Sequence, residues 1–593
     1  MANLLIVIDE DRHRRDLVLR SAMRRADPLA ALTQGRCEVA DFSAVWSAAA
    51  DAPVSASGDA FGAAILWGDA RAPECDDRLD AGALRSFWRS DGPAPLDGFH
   101  AGVVYDAATG SATVGTDLFG LFPIYYAVMR AVALVATSPE LLLLHPLLRR
   151  EVDPFALAGL LMTERLVAGH TLTAGVRRLA AGHLLRLERG REPREIVQYR
   201  FRVSEVTPAS LEERARSVDL AFERAVRRHI HDAPVGTTLL SGGRDSRMIA
   251  GYLVEAGLRP RAITFGSPAD HDARCARGVA RELRLEHRIE DYDLTAYERY
   301  ADLEVRSQHA QNGFGSLYAW GMAEHLSEQG GRVSAGYFLD TVISPLVFVG
   351  VENDYATVRA SHLSRGLPLG LLRRLLRPDA FGEAIDQVEA CLRSTWEAYA
   401  EEGAVRTWYQ YLYDRTRFQV GSIPWRMSFG SWPVLPALDI AFLGVAGGLP
   451  IHEVTGRRLQ DALIRNRFPR LARLPVAGPG DVTPALAPRL RDRAVAALES
   501  SPAGAVLRGG RERFRSRERR YYYRINDFNG PGWQRIRARA EPLRSRVGDL
   551  FDLGVLHQVL PPPAVDVRFG DALLDSSGVR NLVGVILWAG LCR

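Results

Sequence analysis

The sequence predicts an α/β protein in which a β-sandwich with flanking helices precedes a doubly wound parallel sheet and a helical C-terminal extension. Two patterns carry this prediction. Short strand-like runs separated by turns dominate the first 200 residues, and a β-branched run at Val235 passes through two glycines into an amphipathic helix. The 593 residues are too many for one hydrophobic core. We place one domain at residues 1–200 and another at 206–593, whose end, 485–593, forms the helical extension.

The composition is that of a globular protein, with 47% hydrophobic and 25% charged residues. The 75 basic and 71 acidic residues leave a net charge of +4, so we expect no nucleic-acid partner. Every basic residue is arginine, because the chain contains no lysine. This absence excludes Walker A nucleotide sites, protein kinases and pyridoxal enzymes, all of which need a lysine amine.

The cysteines and the hydropathy pattern indicate a cytoplasmic protein. Five cysteines lie far apart, with no CxxC pair and no histidine spacing typical of a zinc site, so we expect reduced thiols. No run of 18 apolar residues occurs, and we therefore predict no membrane span.

The β texture is strongest over residues 96–126, where strands and turns alternate at short spacing. This stretch resembles the N-terminal glutaminase-type (Ntn) domain of asparagine synthetases. The positions in register with that pattern are Asp117, Gly120, Pro123, Tyr125 and Tyr126. The likeness continues to about residue 200 and implies the two-sheet fold of that domain.

One departure bears on the activity of this domain. In glutamine-hydrolysing members the mature chain begins with cysteine, whose thiol is the nucleophile and whose terminal amine is the base. Here the sequence reads Met1-Ala2-Asn3, and the nearest cysteine is Cys37. We therefore expect a degenerate glutaminase-like domain without amidase activity.

The strand, tight turn and helix around residues 235–254 are typical of an anion cradle. Glycines 242 and 243 are expected to bend the backbone so that N–H groups, the flanking serine hydroxyls and the helix dipole face a phosphate. Asp245 suits that place only with a divalent cation. The six residues Ser241–Ser246 resemble the SGGxDS loop of the ATP pyrophosphatase (PP-loop) superfamily, which includes asparagine synthetases. The nucleotide-binding residues predicted with it are Leu240, Ser241, Gly242, Gly243, Arg244, Asp245, Ser246, Phe265 and Gly336.

After the cradle, a strand at 261–266, a helix at 272–283 and a strand at 286–289 complete the doubly wound pattern. Phe265 lies where the family contacts adenine, although a core aromatic is an equal alternative. Asp340 matches the aspartate that completes the magnesium site opposite the first loop. Asp245 and Asp340 are thus the predicted Mg²⁺ ligands; the alternative for Asp340 is a helix cap.

Tyr337 marks a narrower resemblance. The order Gly336-Tyr337-Phe338-Leu339-Asp340 is similar to that of β-lactam and carbapenam synthetases, in which the tyrosine helps to deprotonate an amine within the substrate. A phenol needs a carboxylate partner for this role, and Glu352, Asp354 and Glu383 are the open candidates. Otherwise Tyr337 lines the pocket.

The family also places a catalytic lysine late in this domain, where the present chain has only arginines. Arg470 or Arg473 could supply the positive charge, and we predict Arg473 beside Tyr337, Asp245 and Asp340 as catalytic. A solvated helix end is the alternative.

Two further predictions concern the C-terminal extension. The run 508–524 mixes arginine, glutamate and tyrosine, which favours a solvated helix face over an RNA-binding surface. The apolar segment 579–591 is expected to be a docking helix.

The resemblance implies an AMP-forming carbon–nitrogen ligase that uses ATP and Mg²⁺. Such an enzyme adenylates a carboxylate and passes the acyl group to an amine with loss of pyrophosphate. Because the glutaminase nucleophile is missing, we expect the amine to come from the substrate or a second molecule, as in β-lactam synthetases and lasso-peptide cyclases. The latter would bring a precursor peptide and a protease as partners. A conventional asparagine synthetase, a PP-loop RNA-modifying enzyme and an inactive scaffold remain alternatives.

Overall fold

The computed structural model describes residues 3–25, 28–29, 32–88, 94–204, 208–232, 235–311, 314–345, 354–399, 403–477, 482–483, 485–487, 521–570, 573 and 575–593. Over these residues the predicted fold class is confirmed: two antiparallel sheets precede a parallel sheet and a group of C-terminal helices. Within the same ranges, every helix is too short or too polar to cross a bilayer.

The N-terminal part consists of two six-stranded sheets and four helices. Its elements are β1 (Asn3–Ile8), α1 (Arg12–Met23), β2 (Thr33–Val39), β3 (Phe42–Ala48), β4 (Val54–Asp59), β5 (Gly62–Gly68), α2 (Ala81–Trp88), β6 (His100–Asp106), β7 (Ser111–Thr116), β8 (Tyr125–Met129), β9 (Val132–Ala136), α3 (Pro139–Leu142), α4 (Pro154–Thr163), β10 (Arg177–Arg178), β11 (His183–Leu187) and β12 (Arg194–Val197). The strand orders are β10-β8-β9-β1-β3-β2 and β12-β11-β7-β6-β5-β4.

The alternation of side chains in β1 shows how these sheets are layered. Leu4 and Ile6 join the core between the two sheets, whereas Leu5 and Val7 pack with Val18 of α1 on the other side. Helix α2 covers the outer face of the second sheet in the same way. Successive residues of a strand point to opposite faces, so a strand apolar on both faces needs cover on both. The result is a sandwich of sheets between helices.

The second part contains a five-stranded sheet embedded in helices. Its elements are α5 (Leu211–His229), β13 (Val235–Leu239), α6 (Arg244–Glu255), β14 (Arg261–Phe265), α7 (His271–Leu283), β15 (His287–Glu290), α8 (Tyr297–Gln308), α9 (Tyr318–Ser327), β16 (Arg332–Ser334), α10 (Leu339–Ile343), α11 (Tyr355–Leu363), α12 (Leu369–Leu375), α13 (Pro378–Phe381), α14 (Ala384–Tyr399), α15 (Gly403–Gln410), α16 (Ile423–Met427), β17 (Trp432–Val434), α17 (Ile440–Gly447), α18 (Ile451–Val454), α19 (Arg458–Arg467), α20 (Pro469–Ala472), β18 (Val476–Ala477), β19 (Val482–Thr483), α21 (Tyr521–Ile525), α22 (Pro531–Ala540), α23 (Leu553–Val559) and α24 (Ser576–Leu591).

The strands of this sheet are all parallel and follow the order β15-β14-β13-β16-β17. From β13 the chain adds β14 and then β15 on one side. It then crosses back and adds β16 and β17 on the other side of β13. In doubly wound sheets this reversal opens a crevice at the carboxyl ends of the two central strands, where ligands bind. Here the crevice falls between β13 and β16.

The C-terminal helices return to the body of the protein. Helix α24 is almost wholly buried and packs against α8 and α4, as expected for a docking helix.

Most of the basic run, residues 508–520, lies outside the described residues. Its described end is only partly solvated. Tyr521 and Tyr522 line a cavity, although Tyr522 is 42% exposed, and Arg524 pairs with Asp270 and Asp291.

Candidate nucleotide-binding site

A cavity of about 270 Å³ lies at the crevice between β13 and β16. One wall is the turn that follows β13 and the first residues of α6, and another is the segment from β16 into α10. The sequence-predicted residues that line this cavity are Leu240, Ser241, Asp245, Ser246, Phe265, Gly336, Tyr337 and Asp340. Residues separated by about a hundred positions in the chain therefore meet at one site.

The turn after β13 is held by its own serines. The Ser246 hydroxyl accepts a hydrogen bond from the Ser241 N–H at 3.0 Å and lies 2.9 Å from the Ser241 hydroxyl, which in turn accepts from the Gly243 N–H at 3.1 Å. These bonds tie the turn to the first turn of α6. The positive end of that helix faces the cavity, which favours an anion there.

The two glycines of the turn have a steric role. Neither Gly242 nor Gly243 adopts a left-handed conformation, so the turn does not require glycine for its backbone angles. A Cβ at Gly242 would lie 2.6 Å from the Ala477 Cβ and 2.7 Å from the Cys275 Cβ. Gly242 is therefore needed because α7 and β18 pack directly against the turn, which differs from the bend that the sequence pattern predicted.

A partly buried acidic pair, Asp245 and Asp340, lies at the floor of the cavity. Burial and the Asp340 charge raise the pKa of Asp245 to about 7, and burial also raises the pKa of Asp340. The Gln460 amide donates a hydrogen bond to Asp245 Oδ1 at 2.6 Å, and the Arg457 charge lowers both carboxyl pKa values. Two carboxylates that disfavour each other's charge form a site that a divalent cation would stabilise.

Gly336 brings this pair together. Its ideal Cβ would lie 2.8 Å from the Asp245 Cβ and 3.2 Å from the Ser246 backbone nitrogen. These distances are far below an ordinary van der Waals contact, so only glycine lets the end of β16 approach the start of α6 this closely. The contact explains why a glycine precedes Tyr337.

Aromatic side chains form the wall opposite the acidic pair. Phe265 at the end of β14 stacks with Tyr292 at 5.8 Å between ring centroids, and Tyr292 stacks with Tyr521 at 5.6 Å. Tyr318 meets the edge of Tyr292, and Tyr522 lies beside Tyr521. A flat apolar wall next to an anion-binding turn has the chemistry that a purine nucleotide requires.

Tyr337 lies in the cavity with its phenol protonated. Burial, together with the neighbouring Tyr522, raises its pKa above the ordinary value. Of the carboxylates considered as its partner, Asp354 caps α11 by accepting from the Thr357 N–H, Glu383 is exposed, and Glu352 lies outside the described residues. In this arrangement Tyr337 is a hydrogen-bond donor to whatever occupies the cavity.

Two predicted arginines point elsewhere. The Arg244 guanidinium pairs with Asp461 of α19, so only its backbone belongs to the turn. Arg473 is exposed at the end of α20 and does not line the cavity, and Arg470 is also exposed, with Glu282 3.5 Å away. The structure therefore does not bring Arg473 to the site, because α20 ends on the protein surface.

Sequence reasoning missed three residues, of which Arg457 and Gln460 act on the acidic pair and Arg247 holds the turn after β13. Arg457 begins α19 in a left-handed conformation, and Gln460 follows one turn later with no exposed surface. Arg247, also fully buried, donates to the Gly242 and Gly243 carbonyls and to those of Leu471 and Pro475. The one local signal that could have identified a site residue here is Gln460. A glutamine on the apolar face of a helix is expected to be buried, and a buried polar side chain needs a hydrogen-bond partner.

The fold combines an N-terminal pair of antiparallel sheets with a second part that has a crevice at the carboxyl ends of its parallel sheet. Residues 83–199 match the glutamine amidotransferase domain family, and residues 217–404 match the asparagine synthase family. The chain is thus a member of the asparagine synthetase-like family.

Individual relatives are distant. Over 185 residues the chain is 30% identical to a Mycobacterium bovis protein provisionally named a glutamine-hydrolyzing asparagine synthetase, and equally to its Mycobacterium tuberculosis counterparts. The match covers 30% of this chain and 28% of the relative. Among solved structures, the allosteric regulatory enzyme of purine biosynthesis covers 49% of this chain and 80% of its own at 10% identity and a TM-score of 0.22. The Bacillus subtilis glutamine phosphoribosylpyrophosphate amidotransferase covers 50% and 91% at 9% identity and the same score.

Proposed function

We propose that the protein is an ATP-dependent amide-bond-forming ligase. It activates a carboxylate as its adenylate, releases pyrophosphate, and passes the acyl group to an amine with loss of AMP. The observation that carries this proposal is the partly buried pair of Asp245 and Asp340 on the floor of a cavity, next to the turn formed by Ser241–Ser246. An inactive scaffold would have no reason to keep two carboxylates where burial disfavours their charge.

The donor set fits Mg²⁺, which prefers carboxylate oxygens together with substrate phosphates. Asp245 and Asp340 would hold the ion, and the chemistry it supplies is neutralisation of phosphate charge. Around it, the serine hydroxyls and the first backbone N–H groups of α6 would bind the departing pyrophosphate, while the wall containing Phe265 would hold the base. Arg457 supplies the fixed positive charge on this side of the cavity.

The amine is proposed to come from the substrate or from a second molecule. The amidotransferase-like domain offers a poor thiol nucleophile in Cys37, because burial raises its pKa. Without ammonia from glutamine, the reaction would close a ring within one substrate, as in β-lactam-type or lasso-peptide macrolactam formation. In the second case a precursor peptide and a protease would be partners. The Tyr337 side chain lines the cavity, and its hydroxyl is proposed to contact the attacking amine.

ATP–pyrophosphate exchange with a panel of carboxylic acids and peptides tests this proposal. We expect exchange that depends on Mg²⁺, is abolished in Asp245→Asn and Asp340→Asn, and is unchanged in the exposed control Asp386→Asn. Tyr337→Phe should retain exchange and lose amide formation, since the phenol acts only after adenylation. Full exchange in both acidic-pair variants would remove the metal assignment.

A conventional asparagine synthetase is the second candidate, and the match of residues 83–199 to the glutamine amidotransferase family favours it. The two candidates differ in the nitrogen source. A conventional enzyme would make asparagine from aspartate and ATP with glutamine or ammonia as donor. Exchange with aspartate, followed by glutamine-dependent product, would decide for this alternative.

A further inference from the structure

Three ligand-type side chains from distant parts of the sequence meet far from the crevice. Glu140 belongs to α3 of the N-terminal domain, His309 ends α8, and Cys592 follows α24. One potential ligand atom from each lies within 4.8 Å of the other two. His309 has no exposed surface and Cys592 is 4% exposed, so two of the three ligands are buried, whereas the Glu140 side chain is 16% exposed.

The cluster contains polar atoms that the fold leaves unused. Among the residues that the structure describes, neither ring nitrogen of His309 has a hydrogen-bond partner, and Glu140 Oε2 also has none. A buried imidazole or carboxylate oxygen without a partner is unfavourable by about 1–3 kcal/mol. The closest approach is 3.6 Å, between His309 Nε2 and Glu140 Oε2, which is longer than a hydrogen bond. The other oxygen of Glu140 is held at 2.9 Å by Arg25.

We propose that Glu140, His309 and Cys592 bind a zinc ion. The donors are one imidazole nitrogen, one carboxylate oxygen and one sulfur, which is the mixture that Zn²⁺ accepts in tetrahedral sites. Zinc bond lengths of about 2.0–2.3 Å place tetrahedral ligand atoms about 3.3–3.6 Å apart, so the nitrogen and oxygen are already at that separation. The sulfur needs a shift of about 1 Å or less to complete the set.

Charge supports a divalent ion at this place. Bound as thiolate and carboxylate, Cys592 and Glu140 would bring two negative charges to Zn²⁺, while the other oxygen of Glu140 keeps its ion pair with Arg25. The Cys592 thiol donates a long hydrogen bond to the Val305 carbonyl, with 3.7 Å between sulfur and oxygen, which metal binding would replace.

The fourth position of the ion would face water. Glu140 also lines a neighbouring cavity of about 370 Å³, together with Ser307 and Leu591, which flank the other two ligands. Three protein ligands with one open position form an exchangeable zinc site. Such an ion would join the end of the chain to α8 and to the N-terminal domain, and it is chemically distinct from the all-oxygen acidic pair in the crevice.

Cobalt substitution in the full-length protein tests this inference. The chain is freed of metal with a chelator and titrated with Co²⁺ in an absorption spectrometer. We expect one equivalent to produce a sulfur-to-cobalt charge-transfer band, which Zn²⁺ then removes by competition. Co²⁺ at Asp245 and Asp340 cannot give this band, so the result is independent of the proposed ligase activity.

Variants assign the ligands. Cys592→Ser should lose the band, His309→Asn and Glu140→Gln should weaken binding at least about tenfold, and Cys391→Ser, a half-buried thiol near Thr395, should behave as wild type. Circular dichroism of the metal-free variants checks that they fold. If a variant of the buried His309 or Cys592 does not fold, Glu140→Gln, which changes the partly exposed ligand, provides the test instead. Absence of saturable binding, or a band that persists in Cys592→Ser, would overturn the site.

Discussion

Replacing Gly336 by alanine should open the acidic pair. The new Cβ would lie 2.8 Å from the Asp245 Cβ and 3.1 Å from the Asp245 carbonyl carbon. Ordinary carbon contacts are about 3.5–4.0 Å, so the end of β16 and the start of α6 must separate by about 0.7 Å or more. The obstructing atoms are mainly backbone, which cannot rotate away, and overpacking of this kind lowers the free energy of unfolding by about 1–3 kcal/mol.

The same displacement moves Asp340 relative to Asp245, and with it the phosphates. A shift approaching 1 Å at a reacting centre reduces rates about 100-fold, so we expect pyrophosphate exchange to fall by about 10- to 100-fold in Gly336→Ala. Urea unfolding and exchange are both measured. The control is Gly278→Ala, within α7, where a Cβ meets nothing within 4 Å; it should leave exchange intact and be stabilising by about 0.4–1 kcal/mol. Wild-type stability and exchange in Gly336→Ala would refute the close-approach argument.

Further predictions concern charge and protonation. Asp245→Asn, which removes a charge that burial and a like charge disfavour, should raise the free energy of unfolding by about 1–4 kcal/mol in metal-free buffer; lowered stability on urea titration would contradict this. Arg457→Gln should reduce exchange about tenfold or more, whereas Arg473→Ala should match wild type, because only the first charge acts on the acidic pair. Burial of His100 lowers its pKa from 6.5 to about 4, so the unfolded chain binds the extra proton between these values. Stability should therefore fall by about 3 kcal/mol as the pH drops through that window, and His100→Asn should flatten the decline in pH-dependent unfolding.

The fold class was accessible from the sequence because its signals are local. Alternating short strands before residue 200 and the strand–glycine–helix unit at Val235 each depend on neighbouring residues. The start of α5 is likewise marked locally, by the capping box of Ser210 and Glu213. Strand order was less accessible, since the pairing of β13 with β16 joins segments about a hundred residues apart.

The residues of the candidate site also fall into two groups, those that the sequence identified and those that only the structure revealed. The sequence alone determined the turn from Ser241 to Ser246, the acidic residue Asp340 and the absence of lysine, because residue type and short spacing carry that information. Only the tertiary structure decided that Gly336 permits the acidic pair to meet, that Arg457 rather than Arg473 acts on it, and that Tyr521 closes the aromatic wall.

The physical reason is the range of the interactions. Hydrophobic periodicity and turn chemistry act over a few residues and are written into short stretches of sequence. Steric contacts and electrostatic fields act through space, between residues such as Glu140, His309 and Cys592 that the chain brings together only after it has folded. A spacing rule applied to the sequence therefore indicated no zinc site, whereas the folded chain presents three suitable ligands at one point.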